Sequence, residues 1–140
     1  MKYEQTVEIN ASAATVWSIL ADIERWPEWT PTVTSARVLD GGQLREGASL
    51  RLVQPRLRPA RWTVTSYREL ERFAWTSTST GIVSFADHEL FPTAGGCRVR
   101  LTFAQSGPLA FLSALLFGRM IRSYVGAEAE GLKARAERSD

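Results

Sequence analysis

Residues 97–103, C-R-V-R-L-T-F, alternate without a break: Cys97, Val99, Leu101 and Phe103 fall on one side, Arg98, Arg100 and Thr102 on the other. Strict alternation marks a strand with one dry and one wet face, the usual condition of an antiparallel sheet. A few residues later Gly107-Pro108 opens the one long helical run of the chain, which extends to about Glu137. A sheet with an apolar face must cover that face. The C-terminal run is the only element large enough to do so. The pattern predicts an α+β fold in which an antiparallel sheet of seven strands wraps around one long C-terminal helix, leaving a space between them lined by the inward residues of both.

The remaining elements fit that frame. Residues 3–9 alternate weakly, with Val7 and Ile9 on one face, and read as the first strand. Ser12 is placed to cap the helix that follows; Val16, Trp17, Ile19, Leu20 and Ile23 form its apolar stripe. Asp22–Pro31, D-I-E-R-W-P-E-W-T-P, holds a second short helix after the first strand and a rigid bend, completing a helix-grip arrangement. Proline fixes φ and pushes the residue before it out of the helical region, so Trp26 and Thr30 are expected to be extended. The rings of Trp26 and Trp29 must bury against core, ligand or partner. V-T-S-A-R-V-L and A-S-L-R-L-V-Q follow as strands around a turn at Asp40-Gly41-Gly42, and P-R-L-R-P-A-R interrupts as a loop. From Trp62 the chain is a meander: R-W-T-V-T-S-Y-R-E-L, F-A-W-T-S-T-S, a break at Gly81, I-V-S-F-A-D-H-E-L-F, a turn at Thr93–Gly96, then the 97–103 strand.

At 140 residues the chain reads as one domain, 1–140, since domains commonly run about 100–150 residues. The single cysteine, Cys97, excludes an internal disulfide and a cysteine metal cluster. It fits a reducing, cytoplasmic setting, and no secretory signal opens the sequence. The longest apolar run, Gly107–Gly118, is shorter than the roughly 20 residues of a transmembrane span. The net charge is +2, with a local basic cluster at Arg56, Arg58 and Arg61 that reads as a solvated loop. No nucleic-acid-binding motif accompanies it. No cofactor or metal motif is present either: there is no glycine-rich phosphate loop, no HExxH and no paired cysteines.

V-E-I-N-A-S-A-A-T-V-W-S-I-L-A-D, W-P-E-W-T-P, G-G-Q-L-R-E-G-A-S-L-R-L, W-T-V-T-S-Y, F-A-W-T-S and G-G-C-R-V-R-L-T-F, in this order and spacing, resemble the START-like, Bet v 1-like helix-grip superfamily (SRPBCC). More narrowly they resemble the polyketide cyclase/dehydrase group of bacterial proteins. The resemblance covers almost the whole length. It implies a deep cavity for an apolar or aromatic small molecule, in a superfamily whose members include cyclases, lipid carriers, hormone receptors and co-chaperones. It carries over no catalytic residue.

Strand parity supplies the expected lining. Val99, Leu101 and Phe103 point inward from the last strand; counting back from Leu90 gives His88, Ala86, Ser84 and Ile82. Leu52, Trp62, Val64, Phe73 and Trp75 come from the earlier strands, with Trp29 from the bend. Leu112, Leu116, Met120 and Tyr124 come from the helix at i, i+4 spacing. The profile is that of a small-molecule pocket. His88 is the only histidine, so neither a Ser-His-Asp set nor a site needing two histidines is available. It and Tyr124 are the candidate acid/base groups, with Ser84 in support. Asp87, Glu89, Glu24 and Glu28 are expected to face solvent.

Three readings of different class follow. One is a carrier or sensor binding a hydrophobic or aromatic small molecule. The second is a polyketide cyclase/aromatase or dehydratase using His88 as acid/base. The third is a protein whose apolar segment Phe111–Phe117 docks to a lipid surface or a partner. The sequence does not indicate an oligomeric state.

Overall fold

The computed structural model describes residues 1–139. The chain runs β1 (Lys2–Ile9), α1 (Ala13–Ala21), a 3-10 helix (Ile23–Glu28), β2 (Ser35–Val38), β3 (Ser49–Val53), β4 (Ala60–Arg68), β5 (Arg72–Ser79), β6 (Ile82–Thr93), β7 (Gly96–Ser106) and α2 (Ala110–Ser139). The strands form one antiparallel sheet in the order β1-β7-β6-β5-β4-β3-β2. The first strand thus pairs with the last, Val7 opposite Val99 and Ile9 opposite Cys97. A bulge between Val64 and Ser66 bends β4, which adds local twist and helps the sheet curl. Ser12 caps α1 as expected, its Oγ accepting from Thr15 N at 3.1 Å.

The bend differs from its expectation. Trp26 lies inside the 3-10 helix, with Pro27 next to it. Its carbonyl accepts from the N–H groups of Trp29 and Thr30, and its indole Nε1 donates to Leu20 O at 2.9 Å. The ring is 1% exposed. The clash before proline disfavours helical ψ by a modest amount; burying an indole with its N–H satisfied outweighs it. All four carboxylates expected in solvent are engaged: Glu28 accepts from Arg135 Nη2 at 2.8 Å and Glu89 from Arg100 Nε at 3.0 Å. Asp87 is buried on the outer face, held bidentate by Arg72 Nε and Nη2 at 2.8 and 2.9 Å, and Glu24 Oε2 accepts from Val38 N at 2.9 Å.

The interior is divided along α2. Its C-terminal half packs Ala129, Leu132 and Ala136 into a solid core with α1, the bend and one end of the sheet. Phe73, Val64, Val99, Leu90, Leu101 and Trp29 belong to this end, each at least nine-tenths buried. The N-terminal half stands off the sheet over a cavity. Its phase differs from the one expected. Ala110, Ser113, Gly118 and Ile121 are buried, whereas Leu112 and Leu116 are 40% and 63% exposed. Met120 is half-buried. An apolar-all-round segment gives no amphipathic stripe to fix its rotation. The small residues fix it: Gly118 faces the Tyr3 hydroxyl and Gly131 the Trp29 carbonyl.

Candidate functional site

The cavity measures about 680 Å³, within the usual range for a small-molecule site. Trp62 and Trp75 form one wall, their ring centroids 5.7 Å apart with a 40° tilt. Ala86 and Phe103 continue it, and Phe117, Ile121 and Val125 of α2 lie opposite. Ser77, Ser84, Gln105 and Ser113 gather at the end nearest the start of α2. The loop 54–59 borders the mouth, and the Tyr124 hydroxyl donates to Pro55 O, fastening that loop to the helix.

Polar groups in this space are placed rather than scattered. Gln105 Nε2 donates to Ser84 Oγ at 3.1 Å, leaving Gln105 Oε1 buried without a protein partner. The Trp62 Nε1–H is buried and equally unpartnered. An unmatched buried donor or acceptor costs about 1–3 kcal/mol; Trp29 Nε1, away from the cavity wall, is unpartnered too.

His88 sits where the cavity meets the solid core. It is 3% exposed and stacks on Phe73 with centroids 4.1 Å apart at 13°. Its Nδ1 lies 3.2 Å from Phe73 O; the carbonyl can only accept, so Nδ1 carries the proton and donates. Nε2 is thereby turned toward the Glu128 carboxylate, 3.4 Å away. Both residues line the cavity. A histidine with one nitrogen pinned and the other beside a carboxylate can accept, hold and return a proton at a fixed point.

Of the residues singled out by parity, the structure brings Leu52, Trp62, Trp75, Ser84, Ala86, His88, Phe103 and Tyr124 to the cavity, while Ile82 is not on its wall. Trp29, Val64, Phe73, Leu90, Val99 and Leu101 share the inward parity but lie in the packed core. Leu112, Leu116 and Met120 are not on the cavity wall. Parity identifies a face; how far along the strand the helix stands off is set by tertiary packing. The residues missed had a local signal. Ser77 and Gln105 lie two positions beyond Trp75 and Phe103 on the same faces, and Glu128 lies one helical turn beyond Tyr124.

A family model described as "Polyketide cyclase / dehydrase and lipid transport" matches residues 1–137. No curated protein matches the sequence. Similar solved structures include protein NE0264 from Nitrosomonas europaea, at 19% identity and TM-score 0.76 over 99% of this chain and 96% of that one. A START superfamily protein from Mycobacterium smegmatis matches at 20% identity and TM-score 0.75, over 99% of both chains. The di-domain ARO/CYC StfQ from the steffimycin biosynthetic pathway matches at 12% identity and TM-score 0.78, over 99% of this chain and 51% of that one. At these identities the structural likenesses speak for the fold.

Proposed function

The chain belongs to the polyketide cyclase/dehydrase and lipid transport family, and from that premise we propose that its cavity binds a hydrophobic or aromatic small molecule as a carrier or sensor. One observation carries the reading: a cavity of about 680 Å³ walled by the Trp62–Trp75 pair, with the buried Trp62 N–H unpartnered. A flat apolar body stacks on the indoles, and an oxygen on it accepts from Trp62. A hydroxyl at the opposite end donates to Gln105 Oε1. The test is tryptophan quenching on titration with 2-naphthol, alongside native mass spectrometry of the protein from its own host to find a co-purified molecule. Ala86, beside Trp75 across the β5–β6 ladder, lines the cavity. Ala86→Trp should fill the space and abolish quenching with the far-UV spectrum unchanged. Equal quenching by this variant would place the probe elsewhere and overturn the reading.

The His88–Glu128 pair favours a second reading, a cyclase/aromatase or dehydratase. Such reactions remove a proton beside a carbonyl and deliver one to a departing hydroxyl or a carbonyl oxygen. His88 Nε2 would be the acid/base, with Glu128 holding it in orientation. Turnover of a reduced polyketide-like ketone, lost in Glu128→Gln, separates this reading from the carrier.

A further inference from the structure

The outward side of the first turns of α2 is unlike the rest of the surface. Phe111, Leu115 and Leu116 are 72%, 78% and 63% exposed, with Leu112 and Phe117 at 40% each. Contiguous apolar exposure of this kind marks an interaction site. Leu112, Leu115, Arg119 and Arg122 share one stripe of the helix, so the apolar side chains are followed by two exposed arginines one to two turns on, about 6–10 Å along the axis. Across the cavity mouth stands the loop carrying exposed Arg56 and Arg58, tied to α2 by the Tyr124–Pro55 hydrogen bond. Residues 47–68 and 107–127, which supply the two rims, contain no aspartate or glutamate. Among the described residues Arg56, Arg58 and Arg119 make no ion pair.

We propose that this end of the molecule docks on an anionic lipid bilayer, with Phe111, Leu115 and Leu116 entering the acyl boundary and Arg56, Arg58 and Arg119 meeting lipid phosphates, while Arg122 lies over the Tyr3 ring at 4.8 Å. Geometry and charge agree when the N-terminal end of α2 enters first: arginines set back along the axis, with their long side chains, then lie at the headgroup level. A nucleic acid would satisfy the arginines and leave the phenylalanine and leucines in water. A second copy packed on this face would cover the apolar side chains, but its own rims carry no carboxylate to meet the arginines. A bilayer satisfies both halves of the surface. Phe117 belongs at once to this surface and to the cavity wall, so the docked protein presents its cavity mouth to the membrane.

The test is co-sedimentation with vesicles of phosphatidylcholine alone and of phosphatidylcholine mixed with phosphatidylglycerol. Binding should require phosphatidylglycerol and weaken with added salt. Phe111→Ser combined with Leu115→Ser should lower vesicle affinity at least tenfold with an unchanged melting temperature, because both side chains are exposed in the free protein. Arg58→Gln and Arg119→Gln should each cost about fivefold, and only on the anionic vesicles. Ala86→Trp should bind vesicles like the parent, which separates failure of this surface from failure of the cavity. Equal partition to neutral and anionic vesicles would overturn the proposal. So would wild-type binding by the Phe111→Ser/Leu115→Ser variant, a dimer in solution that this variant converts to monomer, or duplex DNA binding that the variant leaves intact.

Discussion

Two glycines five positions apart on α2 should respond to alanine with opposite signs. A Cβ built on Gly131 would lie 2.1 Å from Trp29 O, 3.2 Å from Trp29 C and 3.3 Å from its Cε3. The nearest atom belongs to the backbone of the bend, which cannot rotate away. On Gly126 the same Cβ meets nothing within 4 Å. Alanine gains about 0.8–1.0 kcal/mol of helix propensity at either site. At Gly126 that gain stands, and Gly126→Ala should stabilise the protein by roughly 0.5–1 kcal/mol. At Gly131 it is opposed by overpacking, which runs about 1–3 kcal/mol. A contact this short with a fixed carbonyl belongs at the upper end, so Gly131→Ala should destabilise by roughly 1–2 kcal/mol net. The difference between the variants is then about 2–3 kcal/mol, well outside the error of urea unfolding followed by tryptophan fluorescence at constant m. Indistinguishable stabilities would mean that α2 does not rest on the Trp29 carbonyl, and the division of the interior into core and cavity would lose its anchor.

Glu128→Gln should change 2-naphthol affinity by no more than about 1–2 kcal/mol if the protein is a carrier; if it is an enzyme, turnover should fall about 10²-fold or more at similar binding. Calorimetry and steady-state kinetics read the two, and this variant is preferred to His88→Ala because His88 is stacked on Phe73 and its truncation opens a hole. In acid, Glu28 and Glu137 are held below the usual 4.5 chiefly by hydrogen bonds from Arg135 and Lys133. Their stabilisation is therefore present above 4.5 and lost as pH falls through the lowered values; being exposed, the effect should shrink with salt, and stability rising as pH drops through that range would contradict it. Burial pushes the Cys97 thiol up, away from the reactive thiolate; the native protein should resist Ellman's reagent and react once unfolded in urea, whereas fast reaction of the native form would show that β7 opens there.

The strands were legible because a half-buried sheet writes its geometry into alternate residues: Cys97, Val99, Leu101 and Phe103 are inward in the structure as in the pattern. The single long helix and the capped first helix were legible for similar local reasons. The site was legible by face and illegible by position. Phe73 and Trp75 are two residues apart on one strand face, yet Phe73 is solid core and Trp75 is cavity wall. What separates them is where the bend and α1 stop covering the sheet, which no local pattern records. Trp26 was misread for the opposite reason: a local rule about the residue before proline was overruled by burial of its ring.

The rotation of α2 connects these readings to function. Hydrophobicity alone placed Leu112 and Leu116 against the sheet, as burial would favour. The protein instead turns Ala110, Ser113 and Gly118 inward and leaves its largest apolar side chains outside. Were the sheet the intended partner of Leu112 and Leu116, a rotation of about one residue would bring them to the places of Ser113 and Phe117. It would also fill the mouth of the cavity and bring a bulky side chain to the Tyr3 hydroxyl that Gly118 now faces. The observed phase keeps the cavity open, and the exposed leucines and phenylalanines are its consequence. A helix that leaves these groups in water gives up apolar burial worth about 25 cal/mol per Å². An anionic bilayer, as proposed above, would recover it at the mouth of the cavity.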